Sequence, residues 1–411
     1  MTLTNDFKLI DGDDRSLQAK NMAENLVSYN VQNYSQPSYP KTARIRSLFN
    51  AYYIMQCFKE QTKVAYVGEV FPNELLFLFG FISLNFESIS TLFSQSDAID
   101  MCLRLTEENH LPRDLCSSVR AAYGAALANC LPRPDIIIIN NHLCDGLAKL
   151  GFQFSKIYDS TYSTFNVPML QTEESVAYLT GQFQEVLREV EQVTGMSYDE
   201  KSFQEVIKLS NEAKDYFLQT IDIAKQVHIP GLQRELYEIM AVNCWGMKEM
   251  VKICQSLHSE TLEKLETQEV APRKKRMLWV GLAPDQSHEL VQYLEREIEI
   301  IYWTTYWEGN LMKLDPERPL DSMAERSIAY LWNSERMREQ TAVVCEQNHI
   351  DCIILVNTWG CRNMMGLSQA VREMSVTKQI KYLSVDVDIR DKNNYSFSQV
   401  KNRIDAFLEI I

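Results

Sequence analysis

Three cysteines occupy positions at which a predicted strand gives way to a loop. Cys116 lies in "DLCSSVR", Cys144 in "PDIIIINNHLCDG" and Cys361 in "IDCIILVNTWGCR", and the last two directly follow apolar runs. Loops at the carboxyl ends of parallel strands form the crevice in which open α/β sheets bind ligands. The three are far apart in the sequence, so a compact zinc or ferredoxin loop does not hold them. If they share one metal centre, the fold must bring them together.

The number of these thiols determines the chemistry of such a centre. Three thiolates can hold a cubane iron–sulfur cluster and leave one iron without a protein ligand, whereas electron-transfer clusters normally have four cysteine ligands. An iron with an open position can bind substrate. From spacing alone, the alternative that the three are unrelated buried or reactive thiols stays open.

Composition restricts the classes of protein that fit. A chain of 411 residues suits two or three domains, and 45% hydrophobic with 23% charged residues is typical of a globular protein. The formal net charge of −14 argues against nucleic-acid binding, and the basic run "PRKKR" is too short to change that. No run approaches the roughly 20 apolar residues that span a bilayer, and the N-terminus does not resemble a signal peptide. We therefore expect a cytoplasmic protein that binds neither membrane nor nucleic acid.

The chain has ten cysteines, and a cytoplasmic location predicts reduced thiols rather than disulfides. Most are expected to be small buried hydrophobes. Cys102, Cys130 and Cys352 are the less clear cases and stay candidates for a role near a site.

Hydrophobic periodicity predicts an α/β chain in which two strand-and-helix segments flank a helical one. Cys116 and Cys144 fall in the first α/β segment and Cys361 in the second, so a cleft between domains can draw ligands from both. The predicted divisions are an N-terminal helical arm at 1–62, a first α/β domain at 63–170, a helical connector at 171–272 and a second α/β domain at 273–411.

Six segments in order, from about Glu69 to the C-terminus, carry a family resemblance. The sequence resembles the 2-hydroxyacyl-CoA dehydratase D-component family, which includes benzoyl-CoA reductase subunits and double-cubane cluster proteins. Each segment alone is a weak signal, whereas the ordered set is specific. The segments are "EVFPNELLFLFG", "DLCSSVR", "LPRPDIIIINNHLCD", "LYEIMAVNCWGMKE", "HIDCIILVNTWGCR" and "DVDIRDKNNYSFSQVKNRIDAFLE".

The resemblance implies a [4Fe-4S] cluster held by Cys116, Cys144 and Cys361, with one iron that no cysteine binds. It also implies two Rossmann-like or flavodoxin-like parallel-sheet domains with the cluster in the cleft between them. Members work with a related second subunit or as a homodimer, and a separate ATP-hydrolysing iron–sulfur activator delivers an electron. The chain has no Walker-type "GxxxxGK[ST]" sequence, so the activator would be the source of energy.

The implied chemistry is the dehydration of a 2-hydroxyacyl-CoA thioester. The C3 proton of such a substrate is not acidic, but one electron on the thioester carbonyl gives a ketyl radical that expels the C2 hydroxyl and acidifies that proton. An iron at the carbonyl oxygen would deliver the electron and act as a Lewis acid. Two alternatives stay open: a reductase of the same family, with a single cubane or a double-cubane [8Fe-9S] cluster, and a partner subunit that only relays electrons.

Two carboxylates at the ends of strand-like segments are the candidates for proton transfer. The resemblance places Glu87 where dehydratase subunits carry a site glutamate. Glu69 departs from the family pattern, because some such subunits have a serine there, and its carboxylate either acts as a base or caps the following helix. Glu74 is expected to be structural.

Polar residues beside the cysteines have two interpretations. Asn140, Asn141 and His142 either donate hydrogen bonds to cluster sulfurs or substrate, or satisfy the loop backbone. Arg362 either stabilises cluster charge or is an exposed surface arginine.

Two further patterns are expected to be structural. The aspartates of "SVDVDIRD" suit an interdomain role better than a cation site, although alternating carboxylates suit hard cations. The aromatic stretch at 302–307 is expected to pack in the core, with a substrate channel as the alternative.

Overall fold

The computed structural model describes Glu24, Ser28 and residues 40–94, 98–282, 289–330 and 333–411. The side chains of Glu87 and of residues 92–94 lie outside the described part. Most of the predicted N-terminal arm also lies outside it. The described end of that arm contains helix α1 (Lys41–Gln56).

Two parallel sheets form the framework of the described residues. Their strands are rich in Ile, Val and other apolar residues, and four of them are buried along their whole length, as expected where helices cover both faces of a parallel sheet. The first sheet contains β1 (Val64–Val67), β2 (Ile82–Asn85), β3 (Ile136–Asn140) and β4 (Thr161–Phe165), and the second contains β5 (Arg276–Val280), β6 (Glu299–Tyr302), β7 (Cys352–Thr358) and β8 (Lys381–Val387).

Both sheets have the same topology. The strand order is β2-β1-β3-β4 in the first and β6-β5-β7-β8 in the second, and every pairing is parallel. This order is the start of the flavodoxin-like arrangement, in which chain direction across the sheet reverses between the first and third strands. The predicted α/β class with two parallel-sheet units is confirmed.

The two sheets also share register and local sequence. Ala65 pairs with Ile136 in the first sheet, and Leu278 pairs with Ile353 in the second. Counted from these pairs, "AYVGE" corresponds to "LWVGL", and "IIIINNHLC" corresponds to "IILVNTWGC". The same nine-residue interval therefore ends at a cysteine in each sheet.

Helices connect and cover the strands. Thr172 and Asp199 cap two of the long helices between the sheets by accepting hydrogen bonds from backbone N–H groups. Further helices are α2 (Glu74–Phe77), α3 (Phe86–Ser94), α4 (Ala98–Glu108), α5 (Ser117–Leu127), α6 (Asp145–Tyr158), α7 (Glu173–Thr194), α8 (Glu200–Gln226), α9 (Leu232–Val242), α10 (Lys248–Glu266), α11 (Glu289–Glu297), α12 (Glu308–Leu311), α13 (Pro319–Ile328), α14 (Ser334–Asn348), α15 (Arg362–Thr377) and α16 (Phe397–Leu408).

One continuous apolar core connects the sheets and the long helices. It includes Tyr66 and Ile137 of the first sheet, Phe217 of α8, and Leu278 and Ile353 of the second sheet. Two smaller clusters cover the other face of each sheet. Across the described residues, none of the helices combines the length and hydropathy needed to cross a membrane.

Candidate functional site at the switch points of the two sheets

The carboxyl ends of the central strands meet at one pocket. In a doubly wound sheet the ligand crevice lies where strand order reverses, here beyond β1 and β3 and beyond β5 and β7. Glu69 follows β1 and Cys144 follows β3, whereas Leu282 follows β5 and Cys361 follows β7. All four residues line a single cavity of about 170 Å³. Both switch points therefore open into the same space.

The three predicted cysteines line this pocket together. Each occupies the position immediately before a helix: Cys116 before α5, Cys144 before α6 and Cys361 before α15. The first turn of a helix carries partial positive charge from its unpaired N–H groups. Three helix starts directed at one cavity favour negative charge there, whether on thiolates or on a bound anionic group.

The prediction that all three cysteines follow strands is wrong for Cys116. The chain reaches it from helix α4 through a loop at 109–115, without an intervening strand. The other two follow β3 and β7 as predicted. Cys116 reaches the pocket because α5 packs against α6 and α4 and is buried along most of its length.

A glycine allows the loop before Cys361 to approach Cys116 closely. Gly360 has a φ of +74°, and a Cβ atom there would lie 2.5 Å from the backbone nitrogen of Cys116. Only glycine suits both the left-handed backbone and this contact. This contact places the loop before Cys361 directly against the loop before Cys116.

Two side chains of α15 join the loops of Cys144 and Cys361. The Asn363 amide donates a 2.8 Å hydrogen bond to the carbonyl oxygen of Leu143. Arg362 pairs with Asp145 at 3.2 Å, although both side chains are mostly exposed, so the pair contributes little to stability. Arg362 thus lines the pocket and is also an exposed arginine.

The aspartates after β8 fasten the Cys116 helix to the second sheet. Asp388 accepts a hydrogen bond from the Ser117 hydroxyl, and Asp391 accepts one of 2.8 Å from the buried Arg120 guanidinium. Burial alone would raise the pKa of Asp391, but the hydrogen bond and charge of Arg120 hold it below its usual value. These bonds agree with the structural or interdomain role predicted for Asp388 and Asp391, whereas Asp386 lies within β8 and accepts a 3.0 Å hydrogen bond from Asn357 of β7.

Glu69 lies in the pocket wall. The Asn140 amide donates a 2.7 Å hydrogen bond to the carbonyl oxygen of Glu69, and the next residue, Val70, has a positive φ of 49°. This bond fixes the backbone after β1 against the end of β3. Glu87 belongs to α3, one residue after the pocket-lining Phe86, and its side chain lies outside the described part. The catalytic roles of both glutamates stay predictions.

Glu74 is structural, as predicted. Its carboxylate receives two hydrogen bonds of 2.8 Å from Arg326 and one from the Ser210 hydroxyl. Burial would raise the pKa of Glu74, but the opposing charge of Arg326 lowers it. This buried pair joins α2 to α13.

The polar residues between β3 and Cys144 satisfy the loop backbone where their contacts are described. Asn140 bonds to the Glu69 carbonyl, and Asn141 accepts a hydrogen bond from the Val167 N–H at 3.4 Å. Burial lowers the pKa of His142 to about 4, so this ring is neutral at physiological pH. None of these three side chains is part of the pocket lining.

The less clear cysteines lie elsewhere. Burial raises the pKa of Cys130 and of Cys352 to about 12, and it raises that of Cys102 further. Cys352 begins β7, at the end of the strand opposite to Cys361. None of the three lines the pocket. Their raised pKa values keep these buried thiols protonated, and a protonated thiol does not bind a metal.

The pocket residues fit a cluster better than a single ion. Within the described ranges, no group of three or more His, Cys, Asp or Glu is placed to hold one metal ion. In a cubane, however, each thiolate binds a different iron, so its ligands surround the cluster instead of meeting at a point. Soft thiolate donors, three helix starts and a cavity of about 170 Å³ are consistent with that kind of group.

Trp307 and Leu282 also line the pocket. Leu282 was not among the residues predicted from the sequence, and Trp307 was included only in the alternative of a substrate channel lined by residues 302–307. A comparison of the two strand ends could have identified Leu282, because it follows "WVG" as Glu69 follows "YVG". The aromatic stretch at 302–307 divides in the structure: Trp303 and Tyr306 are buried in a short 3₁₀-helix, as predicted, whereas Trp307 faces the pocket.

These features define a protein with two flavodoxin-like sheets and a three-cysteine pocket at their paired switch points. Residues 70–411 match the family described as 2-hydroxyglutaryl-CoA dehydratase, D-component. The chain belongs to that family, and the predicted membership of an enzyme family of dehydratases is confirmed.

Characterised relatives cover most of the chain. The (R)-phenyllactyl-CoA dehydratase alpha subunit of Clostridium sporogenes is 25% identical over 85% of this chain and 89% of the relative. The (R)-2-hydroxyisocaproyl-CoA dehydratase alpha subunit of Clostridioides difficile is 22% identical over 86% and 91%. The lactoyl-CoA dehydratase subunit alpha of Anaerotignum propionicum is 23% identical over 68% and 70%.

Proposed function

We propose that this chain is the iron–sulfur subunit of a 2-hydroxyacyl-CoA dehydratase, a lyase that removes water from the C2 and C3 positions of an acyl thioester. The observation that carries the proposal is the convergence of Cys116, Cys144 and Cys361 on one pocket between the two sheets. Family membership and the relatives' names support the reaction class.

The three thiolates would hold a [4Fe-4S] cluster and leave one iron for substrate. When bound, the cluster would supply an electron to the thioester carbonyl and act as a Lewis acid at its oxygen, giving a ketyl radical. Because dehydration removes only water from the substrate, this electron would not be consumed in net turnover.

The chain's own residues prepare the pocket for that chemistry. The starts of α5, α6 and α15 stabilise the negative charge of the thiolates and of an anionic group between them. Apolar side chains, including Phe86, Leu147 and Leu282, line the remaining walls. They limit water, which strengthens these electrostatic interactions and protects a reactive radical.

Glu69 is the described carboxylate best placed for proton transfer. It lines the same pocket as the cysteines, and the Asn140 hydrogen bond fixes its backbone. We assign it the acceptance of the C3 proton or the protonation of the departing C2 hydroxyl. Glu87 is the second candidate for these proton transfers, and its candidacy rests on the family resemblance alone.

The proposal includes two partners. The relatives' names describe alpha subunits, which supports a related second subunit here, and a separate ATP-hydrolysing iron–sulfur activator would supply the electron. A single cubane is favoured over a double cubane within this chain, because Cys102, Cys130 and Cys352 do not line the pocket.

An anaerobic turnover assay tests the proposal. The chain is purified with its co-expressed partner subunit and activator, and a series of 2-hydroxyacyl-CoA thioesters is supplied with ATP and a reductant. The expected product is the 2-enoyl-CoA, identified by mass spectrometry, and Cys361→Ser should abolish it. Cys345→Ser, at a buried cysteine outside the pocket, serves as the control. Absence of enoyl-CoA from an iron-loaded wild-type complex would overturn the proposal.

A further inference from the structure

The largest side chain in the pocket wall belongs to Trp307, which is only 6% exposed. It lies between the 3₁₀-helix at Trp303–Tyr306 and helix α12. Two aromatic rings hold the indole: the centroid of Trp303 is 5.0 Å away and that of Tyr330 is 6.0 Å away, both edge to face. An aromatic ring held in this way gives the pocket a rigid wall.

A buried hydrogen-bond network fixes the backbone on both sides of Trp307. The Asn310 N–H donates to the Trp307 carbonyl at 2.9 Å, and the Asn310 side-chain amide donates to the Thr304 carbonyl at 2.7 Å. The Tyr330 hydroxyl in turn donates to the Asn310 side-chain oxygen at 2.6 Å. Asn310 therefore holds the backbone of Trp307 in place.

Lys214 completes this network from the helices between the sheets. Its ammonium group donates to the Asn310 carbonyl at 2.5 Å and lies 3.5 Å from the ring centroid of Trp245. The side chain is buried, so the network is shielded from water and its geometry is well determined.

The charges of the pocket indicate which acyl side chains it suits. The lining cations are Lys149 and Arg362; both are exposed, and Arg362 is paired with Asp145. The buried part of the lining is mostly apolar, and the carboxyl groups of the whole lining belong to Glu69, Asp114 and Asp145. The thiolates and the proposed cluster would take up the positive potential of the three helix starts. A carboxylate on the acyl chain would therefore lose its hydration without gaining a buried cation.

We propose that Trp307 is the specificity-determining wall against which the acyl side chain packs, and that the pocket accepts uncharged acyl side chains in preference to dicarboxylic ones. This inference rests on the proposed function. Asn310, Tyr330 and Lys214 act through Trp307 as positioning residues.

Binding of unreactive substrate analogues tests the inference. Saturated acyl-CoA thioesters without the 2-hydroxyl group cannot be dehydrated, so propionyl-, isocaproyl-, 3-phenylpropionyl- and glutaryl-CoA report affinity alone. Their Kd values are measured by anaerobic calorimetry on the iron-loaded complex. The variants are Trp307→Leu, the milder Trp307→Phe, and Tyr330→Phe, which removes only the hydroxyl that holds Asn310. Phe183→Leu removes a buried ring from a core cluster away from the pocket and is the control.

The expected result is a change in the ratio of affinities. Trp307→Leu should improve binding of 3-phenylpropionyl-CoA relative to propionyl-CoA by about tenfold, the lower end of the effect of one methylene group in an apolar pocket. Trp307→Phe and Tyr330→Phe should change the ratio less, in the same direction, and Phe183→Leu should leave it unchanged. An unchanged ratio in Trp307→Leu, or an equal change in Phe183→Leu, would overturn the role of Trp307.

The charge part of the inference has its own comparison. Glutaryl-CoA should bind the wild-type complex about tenfold more weakly than isocaproyl-CoA or worse, since a desolvated carboxylate costs more than an apolar chain. Equal or tighter binding of glutaryl-CoA would overturn it. If the complex binds none of the thioesters and turns over no 2-hydroxyacyl-CoA, the proposed function itself fails. If the complex binds the thioesters but the ratios of their Kd values do not differ between wild type and the Trp307 variants, only this inference fails.

Discussion

The two sheets reach the pocket with equivalent loops that carry different side chains. After the first strand of each sheet, a glycine is followed by Glu69 on one side and by Leu282 on the other. After the third strand, the equivalent positions are Cys144 and Cys361, and both precede helices. The equivalent pairs thus agree at the proposed cluster ligands and differ at the wall residues Glu69 and Leu282.

This difference assigns the pocket two unlike halves. The first half has the carboxylate Glu69 and two of the three cysteines. The second half has one cysteine, Leu282 and the ring of Trp307. On the proposed function, the first half handles protons and the second half holds the acyl chain.

The largest effect is expected at the position where both halves carry a cysteine. Cys144→Ser and Cys361→Ser should each lose most of the bound iron and all dehydration, because either change leaves two thiolates for a cluster that requires three. Iron content and turnover after anaerobic purification measure this. Cys352→Ser is the matched control and should retain both. Full iron in either of the first two variants would contradict the equivalence of the halves.

The next effect separates the halves. Glu69→Gln should lower kcat by about 10²- to 10⁴-fold, as expected for loss of a general acid or base, whereas iron content should stay at the wild-type level. Leu282→Met changes the equivalent position in the other half and should alter kcat little. A kcat for Glu69→Gln within about twofold of wild type would remove Glu69 from proton transfer.

A third comparison concerns the contact between the halves. Gly360→Ala should lower the free energy of unfolding by about 1–3 kcal/mol, because it adds backbone strain and a clash with the Cys116 backbone. Gly80→Ala is the control: its φ is +72°, but a Cβ atom there has no heavy atom within 4 Å. Urea unfolding of the variants measures both. Equal losses would show that strain alone, without the close contact, explains Gly360.

The smallest effect concerns the buried residues that hold each half in place, and it is a change in how stability depends on pH. An amide, Asn140, fixes the Glu69 loop, whereas Lys214 supports the Trp307 wall. Burial, with the charge of Arg326, lowers the pKa of Lys214 from 10.5 to about 7. Between those values the unfolded chain binds one more proton, so the free energy of unfolding should rise with pH, by up to about 1.4 kcal/mol per unit.

Lys214→Met should remove that rise, and Asn140→Ser should keep it. Urea unfolding at pH 7, 8 and 9 measures the slopes. Parallel slopes in wild type and Lys214→Met would contradict the lowered pKa of Lys214.

Sequence patterns were sufficient for the sheets and for two of the cysteine positions. Runs such as "IIIIN" identify buried parallel strands, and ligand loops at their carboxyl ends follow from topology. Cys116 was expected for the wrong local reason, since its position depends on how α5 packs and not on a strand. Trp307 has no local pattern that distinguishes it from Trp303, because only tertiary contacts determine which ring faces the pocket.

The pairing of the halves was also beyond sequence reasoning. Gly360 contacts the Cys116 backbone, and Asn363 bonds to the Leu143 carbonyl. Such contacts link residues more than two hundred positions apart, and their formation depends on the relative orientation of the two sheets.

The central claim is that three cysteines from both halves hold a cubane with one iron left for substrate. Mössbauer spectroscopy of the ⁵⁷Fe-loaded, anaerobically purified protein, with and without an acyl-CoA, tests it most directly. About four irons per chain are predicted, and addition of the thioester should change the signal of one of them while three stay as they were. Absence of iron, or a four-iron signal in which no iron site responds to the thioester, would contradict the account.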